Sequence, residues 1–215
     1  MEIRLLERFR SFPIILPIAI AALGPLCRAQ EPVFKSVPGA ADGSLPTFGV
    51  TVVDNAGFRG NVYLMQEGSE SLPNFKKLKP IGTLYTSRLN IPVRTFTDGF
   101  PGITDRFEWF AIDYTGRFWI EKPGKYKFAL LSDDGSKLYI DHKNVIDNDG
   151  VHPPKAETAT VKLKAGIHAI RVSYFQGPRA MLALVLAVAR EGEREFHVFD
   201  LHEFRPPKDA AGLDK

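Results

Sequence analysis

GKYKFALLSDDGSKLYID, residues 124–141, decides the fold, because two adjacent carboxylates interrupt what otherwise reads as a β-hairpin. Ahead of them Tyr126, Phe128 and Leu130 alternate with Lys125, Lys127 and Ala129, the period of two of a half-buried strand. Leu138 and Ile140 resume the pattern beyond. Asp133, Asp134, Gly135 and Ser136 therefore read as a solvent-facing turn between paired strands, where Asp and Gly supply turn geometry. In a trans, extended backbone neighbouring side chains point to opposite faces. Two adjacent Asp residues would share one ion only if the peptide between them were cis, which brings successive Cα atoms from about 3.8 Å to about 2.9 Å.

Outward from this stretch the strand signals continue. In FEWFAIDYTGRFWI, residues 107–120, the aromatic spacing predicts two strands joined around residues 113–116. Val161 and Leu163 alternate with Thr160 and Lys162, and Ala165 and Gly166 turn the chain into His168, Ile170, Val172 and Tyr174, which reads as a second hairpin. The run 181–189 is apolar on both faces, as in a central strand buried on both sides. Residues 196–204 offer a last strand before Pro206 and Pro207. The stretch LPNFKKLKPIG allows at most a helical turn, confined by Pro73 and Pro80. No long amphipathic helix is legible, so the sequence predicts an all-β domain.

The N-terminus reads as a targeting segment. Arg4, Arg8 and Arg10 precede a short apolar run, and Cys27, Arg28 and Ala29 lead to a cleavage position, which predicts a signal peptide over residues 1–29, the alternative being an uncleaved N-terminal anchor. The apolar run is shorter than the roughly 20 residues a membrane span needs, so no span is expected after cleavage. Residues 30–49 have the Pro, Gly, Ala and Ser content of a flexible linker, residues 50–204 form the expected domain, and residues 205–215 read as a disordered tail. The single cysteine, Cys27, lies in the targeting segment, so the exported chain holds no disulfide. About 185 residues suffice to bury a core without one. The chain carries a net charge of +3, of which residues 1–29, with four Arg and two Glu, contribute +2. The near-neutral remainder argues against nucleic acid as a partner, since phosphate binding needs clustered positive charge.

The pieces PGKYKFALLSDDGSKLYID, NVIDNDG, VKLKAGIHAIRVSYFQG and LALVLAV occur in an order that resembles the PA14 domain, a β-sandwich module of bacterial toxins, glycosidases, adhesins and yeast flocculins. The resemblance spans roughly residues 57–204 and implies an antiparallel, PA14-like β-sandwich. In the sugar-binding branch of that family the Asp-Asp pair is joined by a cis peptide and holds a calcium ion that ligates glycan hydroxyls. The resemblance thus implies Ca2+ at Asp133 and Asp134. In the flocculin branch a second loop, after the strand corresponding to IRVSYF, adds an Asn side chain and backbone carbonyls. That loop here reads QGPRA: Gln176 falls near the Asn position as a third metal ligand, and Gly177, Pro178 and Arg179 replace a longer segment. Gly177 and Arg179 are the expected ligand-facing positions of this loop, and Asn148 and Asp149 of DNDG, with His152 just beyond, the expected wall of the site. The plainer readings are an Asn/Asp-Gly turn for DNDG and a surface histidine for His152.

The resemblance implies a secreted, periplasmic or cell-envelope module that binds a glycan or another envelope component without catalysing a reaction. The rival is a structural module, or one that binds another envelope protein, in which the Asp-Asp loop is only an ordered turn. The short QGPRA loop favours the rival, and the retained SDDG favours calcium-assisted sugar binding. Other chemistry finds little support. His197 and His202 lie five apart, on opposite faces of a strand, with no cysteine to complete a zinc site. Glu108 and Asp113 have the same five-residue offset, unsuited to a glycosidase pair. No P-loop, dinucleotide fingerprint or nucleophile elbow is present. Trp109, Trp119 and Tyr174 have the chemistry to stack on sugars, although their spacing is that of core residues.

Overall fold

A computed structural model describes residues 57–103, 108–178 and 181–207. Its strands are β1 (Phe58–Leu64), β2 (Gly82–Thr86), β3 (Asn90–Thr95), β4 (Phe110–Ile120), β5 (Gly124–Asp133), β6 (Ser136–Ile140), β7 (Lys143–Asn148), β8 (Lys155–Leu163), β9 (Gly166–Gln176), β10 (Met181–Arg190) and β11 (His197–Val198). The only helical pieces among the described residues are the 3₁₀ turns Phe75–Lys77 and Phe96–Asp98, the first within the stretch bounded by Pro73 and Pro80. The chain is all-β. Every strand pairing is antiparallel, and the strands form two sheets, one in the order β2-β1-β4-β9-β6-β7, the other β11-β10-β5-β8 with β3 also on β10.

Alternation explains the sandwich. Ile112, Tyr114 and Phe118 of β4 and Val172 and Tyr174 of β9 join Phe128 and Leu130 of β5 and Leu184 and Leu186 of β10 in one buried cluster, all at most 2 % exposed. β10 is buried along almost its whole length, as its uninterrupted apolar run requires. Its Ala187 and Ala189 lie on the side away from the main core, under Phe196 with Ala129.

Four strand assignments change. Residues 124–141 are not a hairpin: β5 belongs to the sheet with β10, whereas β6 belongs to the sheet with β9, so the Asp-Asp segment crosses between the layers. Residues 161–174 cross in the same way, from β8 to β9. Periodicity identified the inward side chains correctly in both places. Both sheets face one core, however, so inward alternation continues unchanged when the chain changes sheet. Residues 107–120 do not contain two strands. β4 runs without a break from Phe110 to Ile120, and Asp113 and Gly116 pair in its middle with Ser173 and Ile170. Asp and Gly there mark a polar contact and a close approach rather than a turn. The expected last strand shrinks to the two residues of β11. The proposed signal segment, the whole of the linker and most of the tail lie outside the described residues.

Candidate functional site

The crossover from β5 to β6 is the centre of the site, and it is buried. Asp133 is 4 % and Asp134 3 % exposed, so the solvent-facing turn expected there is not what the chain forms. The peptide between them is cis. Gly135 follows because nothing larger fits: a Cβ on it would press on the Phe175 ring and lie 2.8 Å from the Gly150 amide nitrogen and 2.9 Å from Asp149 Oδ1. The loop at 148–150 therefore walls the crossover, as the order of the strands suggested. The Gly135 carbonyl accepts from Phe175 N at 2.9 Å, tying the crossover to β9.

Asp134 is held by backbone from two other loops. Its Oδ2 accepts from Gly177 N at 2.8 Å and from Gln176 Nε2 at 3.4 Å, and its Oδ1 accepts from His152 N at 3.2 Å. Gln176, fully buried at the end of β9, turns its amide N–H toward Asp134 and the Met181 carbonyl (3.2 Å), while its Oε1 accepts from Tyr174 OH at 2.6 Å. The same hydroxyl lies 2.8 Å from the Asp133 carbonyl oxygen, so one proton serves two acceptors. Asp133 differs from its neighbour. Among the described residues its carboxylate has no hydrogen-bond donor, and no Lys or Arg forms an ion pair with either acid. Burial, then the charge of Asp134, push the Asp133 carboxyl up to about 7, against the pull of His152. Burial also raises Asp134, opposed by the N–H groups of Gly177 and His152.

The other predicted residues converge on this crossover in different roles. Asn148 is buried and donates from Nδ2 to Ser132 Oγ (3.0 Å) and to the Lys155 carbonyl (3.1 Å), and its Oδ1 is buried without a partner among the described residues. Asp149 is engaged structurally: Oδ1 accepts from Leu72 N at 2.9 Å, and Oδ2 pairs with Lys137 at 3.1 Å. The His152 ring bridges the carbonyls of Asn148 (3.0 Å) and Pro153 (2.9 Å), so its backbone, not its ring, touches the acid pair. Arg179 lies outside the described residues.

An open cleft of about 450 Å³ adjoins the crossover, lined by Gly68, Ser69, Glu70, Trp109, Val151 and Pro178. Val151 and Pro178 are the chain neighbours of His152 and Gly177, the two residues whose amides hold Asp134. Trp109 sits here in the left-handed region at φ 58°, with its N–H on the Gln176 carbonyl at 2.8 Å and its own carbonyl receiving Met65 N at 2.8 Å. Sequence reasoning missed the loop at 68–70 altogether. For Trp109 a signal existed, since it precedes β4 and falls outside the core alternation that Phe110 begins.

The donor set suits a hard cation. Calcium takes six to eight oxygens, and the crossover offers the carboxylate of Asp133, which has no donor among the described residues, and the remaining lone pairs of Asp134, with the Oδ1 of Asn148, likewise without a partner among them, on the adjoining strand β7. Among the described residues no group of three or more His, Cys, Asp or Glu side chains converges, so water or ligand oxygens would complete any such shell.

The PA14 domain model matches residues 94–198, from the end of β3 to β11, with the acid pair inside the match. The chain carries a PA14 domain. Solved structures agree on the fold. The PA14 domain of the antifreeze protein MpAFP is 17% identical with a TM-score of 0.57, covering 68% of this chain and 88% of that one. A PA14 sugar-binding domain from an RTX adhesin is 16% identical with a TM-score of 0.55, covering 68% and 96%. An anti-sigma factor domain-containing protein from Clostridium clariflavum is 19% identical with a TM-score of 0.54, covering 71% of this chain and 47% of that one, so the PA14 domain here spans about half of that longer protein. No curated protein matches at a significant level.

Proposed function

We propose that this PA14 domain is an exported, non-catalytic carbohydrate-binding module, secreted or held in the periplasm or cell envelope, that binds its glycan with the help of calcium at Asp133 and Asp134. One observation carries the reading: two adjacent carboxylates are buried beside an open cleft, and among the described residues no Lys or Arg forms an ion pair with either. Buried charge without a partner is costly in a domain that does not use it. Asp133, Asp134 and the Asn148 amide oxygen would hold the ion, and when bound it would supply positive charge and open coordination positions for sugar hydroxyls. Trp109 lines the cleft and has the chemistry to stack against a sugar. The structurally similar adhesin domain is described as sugar-binding, which favours a glycan over other oxygen-rich ligands.

A second reading has its own support. Both oxygens of Asp134 already accept backbone N–H groups, and Gln176 presents a donor rather than an oxygen, as expected of an ordered turn in a structural or protein-binding envelope module. A glycan array probed with clustered protein, with and without a chelator, separates the two. A single shallow site gives a dissociation constant near millimolar, about 4 kcal/mol, and clustering raises apparent affinity roughly 10²–10⁴-fold. Signals lost with the chelator and in Asp133→Ala support sugar binding. Folded, calcium-loaded protein that ignores every glycan favours a protein partner.

A further inference from the structure

The outer face of the six-stranded sheet carries a second arrangement that the acid-pair loop does not use. Arg59 on β1 pairs in register with Thr115 on β4, and Thr115 with Arg171 on β9. Arg117, two residues along β4, projects from the same face, diagonal to both arginines at about 7–8 Å between Cα atoms. Three arginines are thus register neighbours of Thr115 on one face of the sheet. Only Arg171 has an acidic partner among the described residues: its Nε donates to Asp113 Oδ1 at 2.7 Å, and Asp113 also accepts from Ser173 Oγ at 2.8 Å.

Arg171 is fixed in place. Its guanidinium carbon lies 5.1 Å from the Tyr139 ring centroid and 5.5 Å from that of Phe75, so two rings and one carboxylate hold the group while Nη1 and Nη2 remain without partners among the described residues. Beside it the short side chains of Thr115 and Ala169 leave the sheet uncovered, forming a cleft of about 240 Å³ bounded by Tyr139, His142 and Arg171. A planar guanidinium held through Nε presents two parallel N–H groups, the geometry that a carboxylate accepts in bidentate fashion. Immobilising it beforehand removes part of the ordering cost of binding.

We propose that this cleft is a binding site for a carboxylate-bearing glycan: a uronate carboxylate sits on the Nη edge of Arg171, the sugar ring lies along Tyr139, and Arg59 and Arg117 receive the neighbouring carboxylates of the polymer. The charge balance favours an acidic partner, because three arginines share this face with Asp113, which is taken up by Arg171, while Asp141 at the edge of the cleft is taken up by Ala169 N and His168. The site is independent of calcium and of the cleft beside Trp109.

Binding of the purified protein to polygalacturonate, with neutral dextran and dextran sulfate as references, tests this in EDTA, which silences any calcium site and keeps the polymer from gelling. Polygalacturonate should bind in preference to both references, and the binding should disappear as NaCl rises from about 50 mM to about 500 mM. R59A/R117A, which alters exposed side chains only, should weaken it about tenfold, and R171K, which keeps the charge but not the fork, should erase the preference for carboxylate over sulfate. Equal binding of polygalacturonate and dextran, tighter binding of dextran sulfate by the wild type, or wild-type affinity in a folded R59A/R117A protein would overturn the proposal.

Discussion

The two ends of β6 make opposite uses of aspartate. At its C-terminal end Asp141, in the left-handed region at φ 49°, receives Ala169 N at 3.0 Å and lies 2.7 Å from His168 Nδ1. Burial acts to raise its carboxyl, but the hydrogen bonds from His168 and Ala169 prevail and hold it below the usual value. At the N-terminal end Asp133 and Asp134 are more deeply buried, lack a cationic side chain among the described residues and are both raised. The first end is an electrostatically complete clasp. The second is left with negative charge that the protein's described side chains do not neutralise, and it is the end that adjoins an open cleft. An incomplete site of this kind points to a ligand, whereas a complete one points to stability.

The largest effect that would break this contrast comes from packing. Gly135→Ala should destabilise the domain by about 1–3 kcal/mol, because the new methyl group meets Phe175, Gly150 and Asp149 at once. Gly124→Ala, where no atom lies within 4 Å of the added carbon, should leave the denaturant midpoint nearly unchanged. Comparable losses in the two variants would mean that the crossover is not tightly packed. Next, Tyr174→Phe should cost roughly 1–2 kcal/mol, since it removes the hydroxyl shared by the Asp133 carbonyl and Gln176. A loss of calcium response should accompany it, and urea melts with and without calcium would show whether it does.

A smaller effect distinguishes the clasp. Asp141→Asn tolerates the left-handed backbone and removes only charge, so its cost should stay below about 1 kcal/mol for a side chain 47% exposed. A lowered carboxyl contributes stability above its ordinary pKa of 3.8 and loses it as pH falls through the folded value. The deficit of Asp141→Asn should therefore be full at neutral pH and vanish below pH 3.8, measured by melts across that range. A deficit that persists in acid would assign Asp141 a packing role instead.

How much of this was legible in the sequence differs by level. Alternation named the inward residues, Tyr126, Phe128, Leu130, Leu138 and Ile140 among them, and all are buried. It was silent on which sheet each strand joins, because that depends on pairings such as Ser136 with Tyr174 that no local period encodes. Gly116 misled because glycine in a strand and glycine in a turn look alike in sequence. For the site, spacing and resemblance brought forward Asp134, Gln176, Gly177 and His152, which do meet. The role of Asp149 was hidden, since its partner Leu72 is 77 residues away, and so was the cleft wall at 68–70.

The central claim is that the acid pair awaits a cation, and a thermal melt of the wild type and Asp133→Asn at pH 8 and pH 5.5, each with millimolar calcium or with chelator, tests it most directly. Because the Asp133 carboxyl is raised to about 7, the folded state keeps a proton that the unfolded chain has released, so without calcium the wild type should lose stability as pH rises from about 4 to about 7. Asp133→Asn should escape that loss and, in chelator at pH 8, melt above the wild type. With a dissociation constant of about 10⁻⁴–10⁻³ M, 1 mM calcium should add about 0.4–1.4 kcal/mol, roughly 1–6 °C, to the wild type at pH 8. The gain should shrink at pH 5.5, where protons compete for Asp133, and be absent from Asp133→Asn. A wild type indifferent to calcium at pH 8, or an Asp133→Asn protein that melts lower in chelator yet still responds to calcium, would contradict the account.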